Sequence, residues 1–170
     1  MERLLAQNEV LKTLTLFIKA EDDLDKELLL SFLEPESEIV FDISGHLSGV
    51  SPIKLIPLQY WTRIVEFLSG FTAAQHHIGN PIIDVSDDST KASISVEVIA
   101  YHCIEEGEDA RSVTARARQK VDMERSNGTW FVRGMKIEKK FHLTILRCTT
   151  RPRRDTIEEK GAYKSCDCEI

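Results

Sequence analysis

The chain has 170 residues, of which 42% are hydrophobic and 29% are charged. These proportions are ordinary for one globular domain, and they exclude a disordered or fibrous chain. The net charge of −6, from 28 acidic and 22 basic side chains, disfavours nucleic acid as a partner, because an acidic surface repels phosphate groups.

The N-terminal residues and the cysteines indicate a cytoplasmic protein without a membrane partner. Charges at Glu2, Arg3 and Glu9 interrupt the apolar stretch that a signal peptide needs. No window approaches the roughly 20 apolar residues of a membrane span. The four cysteines are expected to be free thiols of a reducing compartment. The Cys166 and Cys168 pair has no second pair of ligands, so we expect no zinc.

The first predicted element is an amphipathic helix over residues 2–19. Its apolar residues recur at helical spacings: Leu4, Leu11, Leu14 and Ile18. The acidic run over residues 21–23 interrupts this helix. Asp25 can cap a second short helix, over residues 26–33, which stops before Pro35.

A strand and a third helix are predicted next. Alternating apolar residues indicate a strand over residues 37–43, and a loop follows over residues 44–51. Pro57 stands where a helix can begin, and helical apolar spacing continues from there to Leu68.

From Gln75 the hydrophobic pattern takes the period of strands. Four strand-like segments follow: 75–85, 91–103, 111–125 and 129–143. Asn127-Gly128 predicts a tight hairpin, and three short connections imply an antiparallel meander. Helices followed by a meander predict an α+β fold, with N-terminal helices covering a strongly curved antiparallel sheet shaped like a cone. We expect one domain over residues 1–147 and a charged tail over residues 148–170.

Alternation along the strands predicts which side chains face the helices. In the first two strands the inward residues are His76, Ile78, Asn80, Ile94, Val96, Val98, Ala100 and His102. In the third strand they are Val113, Ala115, Ala117, Gln119, Val121 and Met123. Two histidines therefore interrupt an apolar wall, where an unpaired imidazole is costly to bury. In the simplest interpretation they are hydrogen-bonded core residues and Asp22 is a capping residue.

Three segments together carry a family resemblance. Residues 75–80 read Gln-His-His-Ile-Gly-Asn, residues 21–25 read Glu-Asp-Asp-Leu-Asp, and residues 100–102 read Ala-Tyr-His. With Pro35 and an Asn-Gly-x-Trp hairpin, they resemble the SnoaL-like group of the nuclear transport factor two-like superfamily, and within it scytalone dehydratase-like enzymes. The resemblance spans about residues 8 to 141.

The resemblance implies an acid–base site without cofactor or metal. The family's buried aspartate corresponds to Asp22, its paired histidine to His76 and its second histidine to His102. Two family tyrosines that hold a carbonyl-polarising water fall at Glu21 and Phe41, and these departures make the same substrate doubtful. The residues that we expect at the substrate are Glu21, Phe41, Trp61, Asn80, Val98, Ala117 and Gln119.

The resemblance therefore predicts a dehydratase, isomerase or cyclase for a polyketide or terpenoid intermediate. A histidine can take a proton next to a carbonyl at neutral pH when a carboxylate fixes its tautomer. A non-catalytic binding or scaffold module is the alternative, because the fold also serves as a transport adaptor. An iron site made by two histidines and a carboxylate is a third interpretation. Outward Arg116 and Arg118 belong either to a solvated face or to a homodimer or homotrimer interface.

Overall fold

The fold is described from a computed structural model, which covers residues 2–45, 49–106, 109–139, 144–149 and 168–169. The helices are α1 (Glu2–Asp22), α2 (Lys26–Ser31) and α3 (Pro57–Leu68). The strands are β1 (Ile39–Gly45), β2 (Ile53–Leu55), β3 (Ala73–Val85), β4 (Lys91–Glu106), β5 (Asp109–Ser126), β6 (Thr129–Lys139), β7 (Thr144–Thr149) and β8 (Cys168–Glu169).

Helix α1 continues through the acidic residues that were predicted to interrupt it. Val10, Leu14 and Phe17 are fully buried, and Glu21 is 7% exposed. These four positions recur at helical spacing, so Glu21 extends the stripe that packs against the sheet. The predicted end near residue 19 is wrong, because the carboxyl group of Glu21 is buried inside the protein.

The starts of the next two helices follow the predicted signals. The Asp25 carboxylate accepts a hydrogen bond from the backbone N–H of Leu28 at 3.0 Å, which caps α2 as expected. Helix α3 begins at Pro57, where the fixed φ of proline suits the first helical position. Helix α2 ends at Ser31, two residues before the predicted end.

Six strands form an open sheet in the order β2-β1-β6-β5-β4-β3. Strands β3 to β6 are paired in sequence as antiparallel neighbours, which confirms the predicted meander. Asn127 and Gly128 have φ values of 50° and 81°, as the predicted tight turn between β5 and β6 requires. The first and last strands of this path are not paired with each other in the described part of the chain.

The first strand corrects the prediction of a purely antiparallel sheet. Strand β1 lies parallel to β6, with Val40 opposite Gly134, so the sheet is mixed. Strand β2 follows the predicted loop and pairs with β1. A three-residue strand carries too little pattern to be predicted, and a parallel pairing between distant segments leaves no local signal.

The last predicted strand spans residues 129–143, and the structure describes β6 over Thr129–Lys139 of this range. Residues 140–143 lie outside the described residues. Strand β7 pairs with the beginning of β5, and β8 pairs with β7. The prediction about the tail falls mainly on residues 150–167, which also lie outside the described residues.

Polar contacts hold α1 against the sheet at both ends. Near its start, the Gln7 side chain donates to the backbone carbonyl of Ile83 at 3.2 Å. The Glu9 carboxylate accepts a hydrogen bond from the Trp130 indole at 3.1 Å. At its end, Asp22 binds β3. None of the described helices is long and apolar enough to cross a membrane.

Candidate active site

Asp22 and His76 form a doubly hydrogen-bonded pair between the end of α1 and strand β3. Asp22 Oδ1 lies 2.5 Å from His76 Nδ1, and Asp22 Oδ2 accepts the backbone N–H of His76 at 2.8 Å. The two side chains are 13% and 20% exposed. Since both carboxylate oxygens bind the same residue, the aspartate fixes the position and the rotation of the imidazole.

The pair stands where an acidic residue is unfavourable for the helix itself. The C-terminal end of a helix carries partial negative charge, which destabilises a nearby carboxylate. Asp22 is the last residue of α1, and Leu24 leaves the helix with a φ of 50°. The hydrogen bonds from His76 offset this cost, so the position of Asp22 is explained by its partner on β3.

The pair favours the charged forms of both side chains. Burial raises the pKa of Asp22, but the hydrogen bonds from His76 lower it by more than burial raises it. The net pKa of Asp22 is therefore below its usual range. Burial lowers the pKa of His76, but the hydrogen bond and charge of Asp22, together with the charge of Glu21, raise it above its usual value. His76 is therefore a stronger base than a free histidine.

His102 lies beside this pair on the neighbouring strand β4. It is 6% exposed, and its ring centroid is 5.4 Å from that of His76. Its Nε2 is buried and has no hydrogen-bond partner among the described residues. Burial lowers the pKa of His102, and the nearby charge of His76 lowers it further, so this imidazole is held neutral.

Two phenylalanines cover His102: Phe67 near the end of α3 and Phe71 in the turn that follows the helix. The Phe71 ring lies 4.6 Å from the His102 ring at 30°, and the Phe67 ring lies 5.7 Å from it at 88°. Phe67 is 61% exposed. A side chain that is exposed on one side and contacts a buried ring on the other separates that ring from solvent, so Phe67 forms part of a cover.

A second polar cluster, which we call the Glu21 corner, consists of Glu21, Tyr60, Gln119 and Met135. The Tyr60 hydroxyl donates to Glu21 Oε1 at 2.6 Å and lies 3.6 Å from Met135 Sδ. The Gln119 amide donates to the same sulfur at 2.8 Å. All four side chains are at most 7% exposed. Burial raises the pKa of Glu21 to about 7, against the opposing effects of Tyr60 and His76.

The structure places most of the predicted substrate residues along the same interior. Phe41 packs edge-on against Tyr60 at 5.7 Å, and Trp61 packs against the core. Val98 is 7% exposed and lies opposite Ala117, which is half-buried. These positions surround the polar groups with apolar surface.

Asn80 is the exception, and its predicted inward orientation is wrong. Its side chain is exposed and its φ is 50°. The pairing of β3 with β4 shifts between Gly79 and Ile82, so a bulge interrupts the alternation of faces. Residues beyond a bulge cannot be assigned to a face by counting.

Four residues of this interior were not predicted from the sequence: Tyr60, Met135, Phe67 and Phe71. Tyr60 lies in the predicted third helix, and no role was predicted for it. A signal was available, because a buried tyrosine hydroxyl needs a hydrogen-bond partner, and buried Gln119 was already predicted. Phe67 lies in the last turn of α3 and Phe71 lies beyond the helix, where periodicity no longer indicates a face.

Two concavities lie outside this interior. One, of about 450 Å³, lies between the strand ends around Ser86 and Glu124. The other, of about 260 Å³, lies between α1 and β3 beside Ile78. Neither is lined by Asp22, His76 or His102. In the described part of the chain, no three His, Cys, Asp or Glu side chains are arranged to hold a metal ion.

Comparison with known proteins identifies the domain type. The model of the SnoaL-like domain matches residues 2–136. Among curated protein sequences, none matches the chain. A hexachlorocyclohexane dehydrochlorinase, LinA-type3 from Novosphingobium barchaimii LL02, has a similar structure, with a TM-score of 0.68 at 16% identity over 85% of this chain and 92% of its own.

Two further solved structures are similar. One is a candidate scytalone dehydratase from Novosphingobium aromaticivorans, with a TM-score of 0.64 at 14% identity over 84% of this chain and 88% of its own. The other is a candidate dehydratase of the NTF2-like family from Streptomyces avermitilis, with a TM-score of 0.65 at 10% identity over 79% and 97%. At these identities the likeness concerns the fold, and it supports the predicted cone-shaped α+β architecture.

Proposed function

The chain belongs to the SnoaL-like domain family, and from that premise we propose that it is a cofactor-free acid–base enzyme. It is a dehydratase, isomerase or cyclase that acts on a polyketide or terpenoid intermediate. The observation that carries the proposal is the Asp22–His76 pair, held at 2.5 Å beside a second, buried histidine. Burial of an imidazole nitrogen without a partner, as at His102 Nε2, is costly for stability, and this cost favours a chemical role for the two adjacent histidines.

His76 acts as the base through Nε2. Its Nδ1–H donates to Asp22, so Nε2 carries the lone pair that accepts a proton from a substrate carbon. The carboxylate stabilises the imidazolium that forms. Abstraction of a proton next to a carbonyl is the first step of dehydration, double-bond migration and cyclisation alike.

His102 acts as the complementary group. The pKa of His76 is raised and that of His102 is lowered, and such a separation assigns different roles to two neighbouring titratable groups. Neutral His102, in the tautomer that carries its hydrogen on the unpartnered Nε2, donates a hydrogen bond to a carbonyl oxygen of the substrate. The imidazolium of His76 returns its proton to the leaving hydroxyl group, which departs as water.

The proposed substrate class fits the walls of the interior. Apolar side chains dominate, and the polar groups are few and separated, which suits a hydrocarbon skeleton carrying a small number of oxygens. A dehydrochlorinase and candidate dehydratases are among the similar structures. Those names denote eliminations, the type of reaction that a histidine base can begin.

The test is dehydration of hydroxytetralone, a bicyclic β-hydroxyketone that gives a fluorescent naphthol, by purified protein without added cofactor. We expect turnover that a chelator leaves unchanged. His76→Ala should lower kcat/KM at least about 100-fold, because general base catalysis contributes that much. His77→Ala is the matched control, since His77 is the next residue and its side chain is exposed. Equal rates for the two variants would contradict the proposal and favour a non-catalytic binding module.

A further inference from the structure

The Glu21 corner has an unusual hydrogen-bond arrangement. Tyr60 and Gln119 come from α3 and β5, and both contact Met135 Sδ from β6. A thioether sulfur is a weak acceptor. The Gln119 amide would bind an oxygen atom better than it binds the sulfur, because a hydrogen bond to oxygen is stronger. The single hydrogen of the Tyr60 hydroxyl is directed to Glu21 Oε1, so Tyr60 can donate to an oxygen at this place only when Glu21 does not accept that hydrogen.

The corner lies at a distance from the base. His76 is opposite Ala100 on β4, and Ala100 is opposite Ala115 on β5. Gln119 therefore lies two strands away from His76 and four residues further along its strand. Between the backbones, this is about 10 Å across the sheet and about 13 Å along the strands. Even when the side chains of His76 and Gln119 both extend inward, a substrate oxygen bound at the Glu21 corner is separated by several bonds from the carbon that His76 deprotonates.

We propose that Tyr60 and Gln119 form a second recognition point, which binds a carbonyl or phenolic oxygen of the substrate remote from the reacting carbon. This inference rests on the proposed function and narrows its substrate class. The substrate carries at least two separated oxygens on an apolar skeleton, one near His102 and one at the Glu21 corner. The Met135 side chain can rotate away to admit this oxygen, because the methionine side chain is flexible.

Glu21 is a positioning residue that acts through Tyr60. When the carboxyl is ionised, the Tyr60 hydroxyl donates to it, and Gln119 alone remains for the ligand. When the carboxyl is protonated, it can donate to the Tyr60 oxygen, which releases the Tyr60 hydrogen for the ligand. The other groups that act on Glu21 are His76 from β3 and its neighbour Asp22. Because burial raises the pKa of Glu21 to about 7, the change falls in the neutral range.

The test measures binding of acetyl-dimethylaminonaphthalene, a ketone whose emission moves to the red when its carbonyl accepts hydrogen bonds. The control ligand is dimethylaminonaphthalene, which lacks the carbonyl. Wild-type protein should bind the ketone more tightly. At about pH 6, where the Glu21 carboxyl with its pKa of about 7 is mostly protonated, Tyr60→Phe and Gln119→Leu should each weaken ketone binding about fivefold to tenfold and shift the emission to the blue, since each removes one hydrogen bond. Binding of the control ligand should not change in these variants.

Two further variants separate this inference from the proposed function. His76→Ala should lose catalysis but retain ketone binding. Ketone binding by this variant therefore tests the recognition point independently of catalysis. Glu21→Gln should remove the weakening of ketone binding that wild-type protein shows between about pH 6 and 8. Equal affinities of wild-type protein for the two naphthalenes would overturn the inference, as would a Tyr60→Phe variant with unchanged affinity and emission.

Discussion

At the scale of residues, the arrangement around His76 separates the roles of four titratable groups. Asp22 is ionised and His76 is basic, whereas His102 is neutral and Glu21 titrates near pH 7. Each shift has a named cause, either burial or a hydrogen-bond partner. Substitution of one group at a time can therefore test the pH dependence that each group confers.

Asp22→Asn should move the acidic limb of the pH–rate profile. In the wild type, kcat/KM should rise with pH as His76 loses its proton, with a midpoint above 6.5, since the net pKa of His76 is raised. The asparagine variant loses the partner that raises this pKa while burial still lowers it, so the midpoint should shift to lower pH. The measurement is kcat/KM for hydroxytetralone across the acidic range. An unchanged midpoint would show that Asp22 does not control His76.

The sequence predicted the positions of Asp22, His76 and His102 better than their surroundings. His102 was assigned inward by strand alternation, and its strand neighbours Val96 and Val98 are buried as expected. Asn80 was assigned wrongly because one bulge reverses the alternation. Tyr60 was missed because a helical stripe shows which side chains are buried, but not which polar group their hydroxyl meets.

At the scale of elements, the end of α3 and the turn after it bring two phenylalanine rings into contact with His102. Strand β4 brings His102 inward, and α3 supplies Phe67 above it. The start of this helix was predicted from Pro57, whereas the position of Phe67 over a histidine on a distant strand depends on how α3 packs on the sheet. Local periodicity carries no information about that packing.

Phe67→Ala should expose His102 to reagents. We expect faster acylation of His102 by diethyl pyrocarbonate, measured by mass spectrometry of the peptide, because the substitution removes part of the cover over the buried ring. Leu58→Ala is the matched control, since Leu58 lies on the same helix and is 54% exposed. If the two variants react at the same rate, Phe67 does not cover the site.

At the scale of the whole molecule, the open mixed sheet with one face under α1 encloses the polar groups. The helix layer and the meander were predictable, because the hydrophobic period changes near Gln75. The parallel pairing of β1 with β6 was not predictable, since it joins segments about 90 residues apart. That pairing sets Phe41 beside Met135 and thereby closes the interior around the Glu21 corner.

Enclosing Glu21 should make the stability of the whole fold depend on pH. Burial raises the pKa of Glu21 from 4.5 to about 7, so between these values the folded protein holds a proton that the unfolded chain has lost. The free energy of unfolding should therefore fall as the pH rises from 4.5 to 7, by about 3 kcal/mol. Urea denaturation of Glu21→Gln should show a smaller fall than the wild type. Parallel curves would contradict the burial of an ionisable Glu21.

Removal of a carbon-bound proton by His76 can be followed by solvent exchange. Tetralone has the acidic C–H bonds of hydroxytetralone but no leaving group, so NMR of its exchange in D₂O reports proton abstraction alone. Wild-type protein and His77→Gln should exchange these hydrogens, and His76→Gln should show no exchange above that in buffer, since an amide cannot accept the proton. Exchange by His76→Gln at the wild-type rate would show that His76 is not the base.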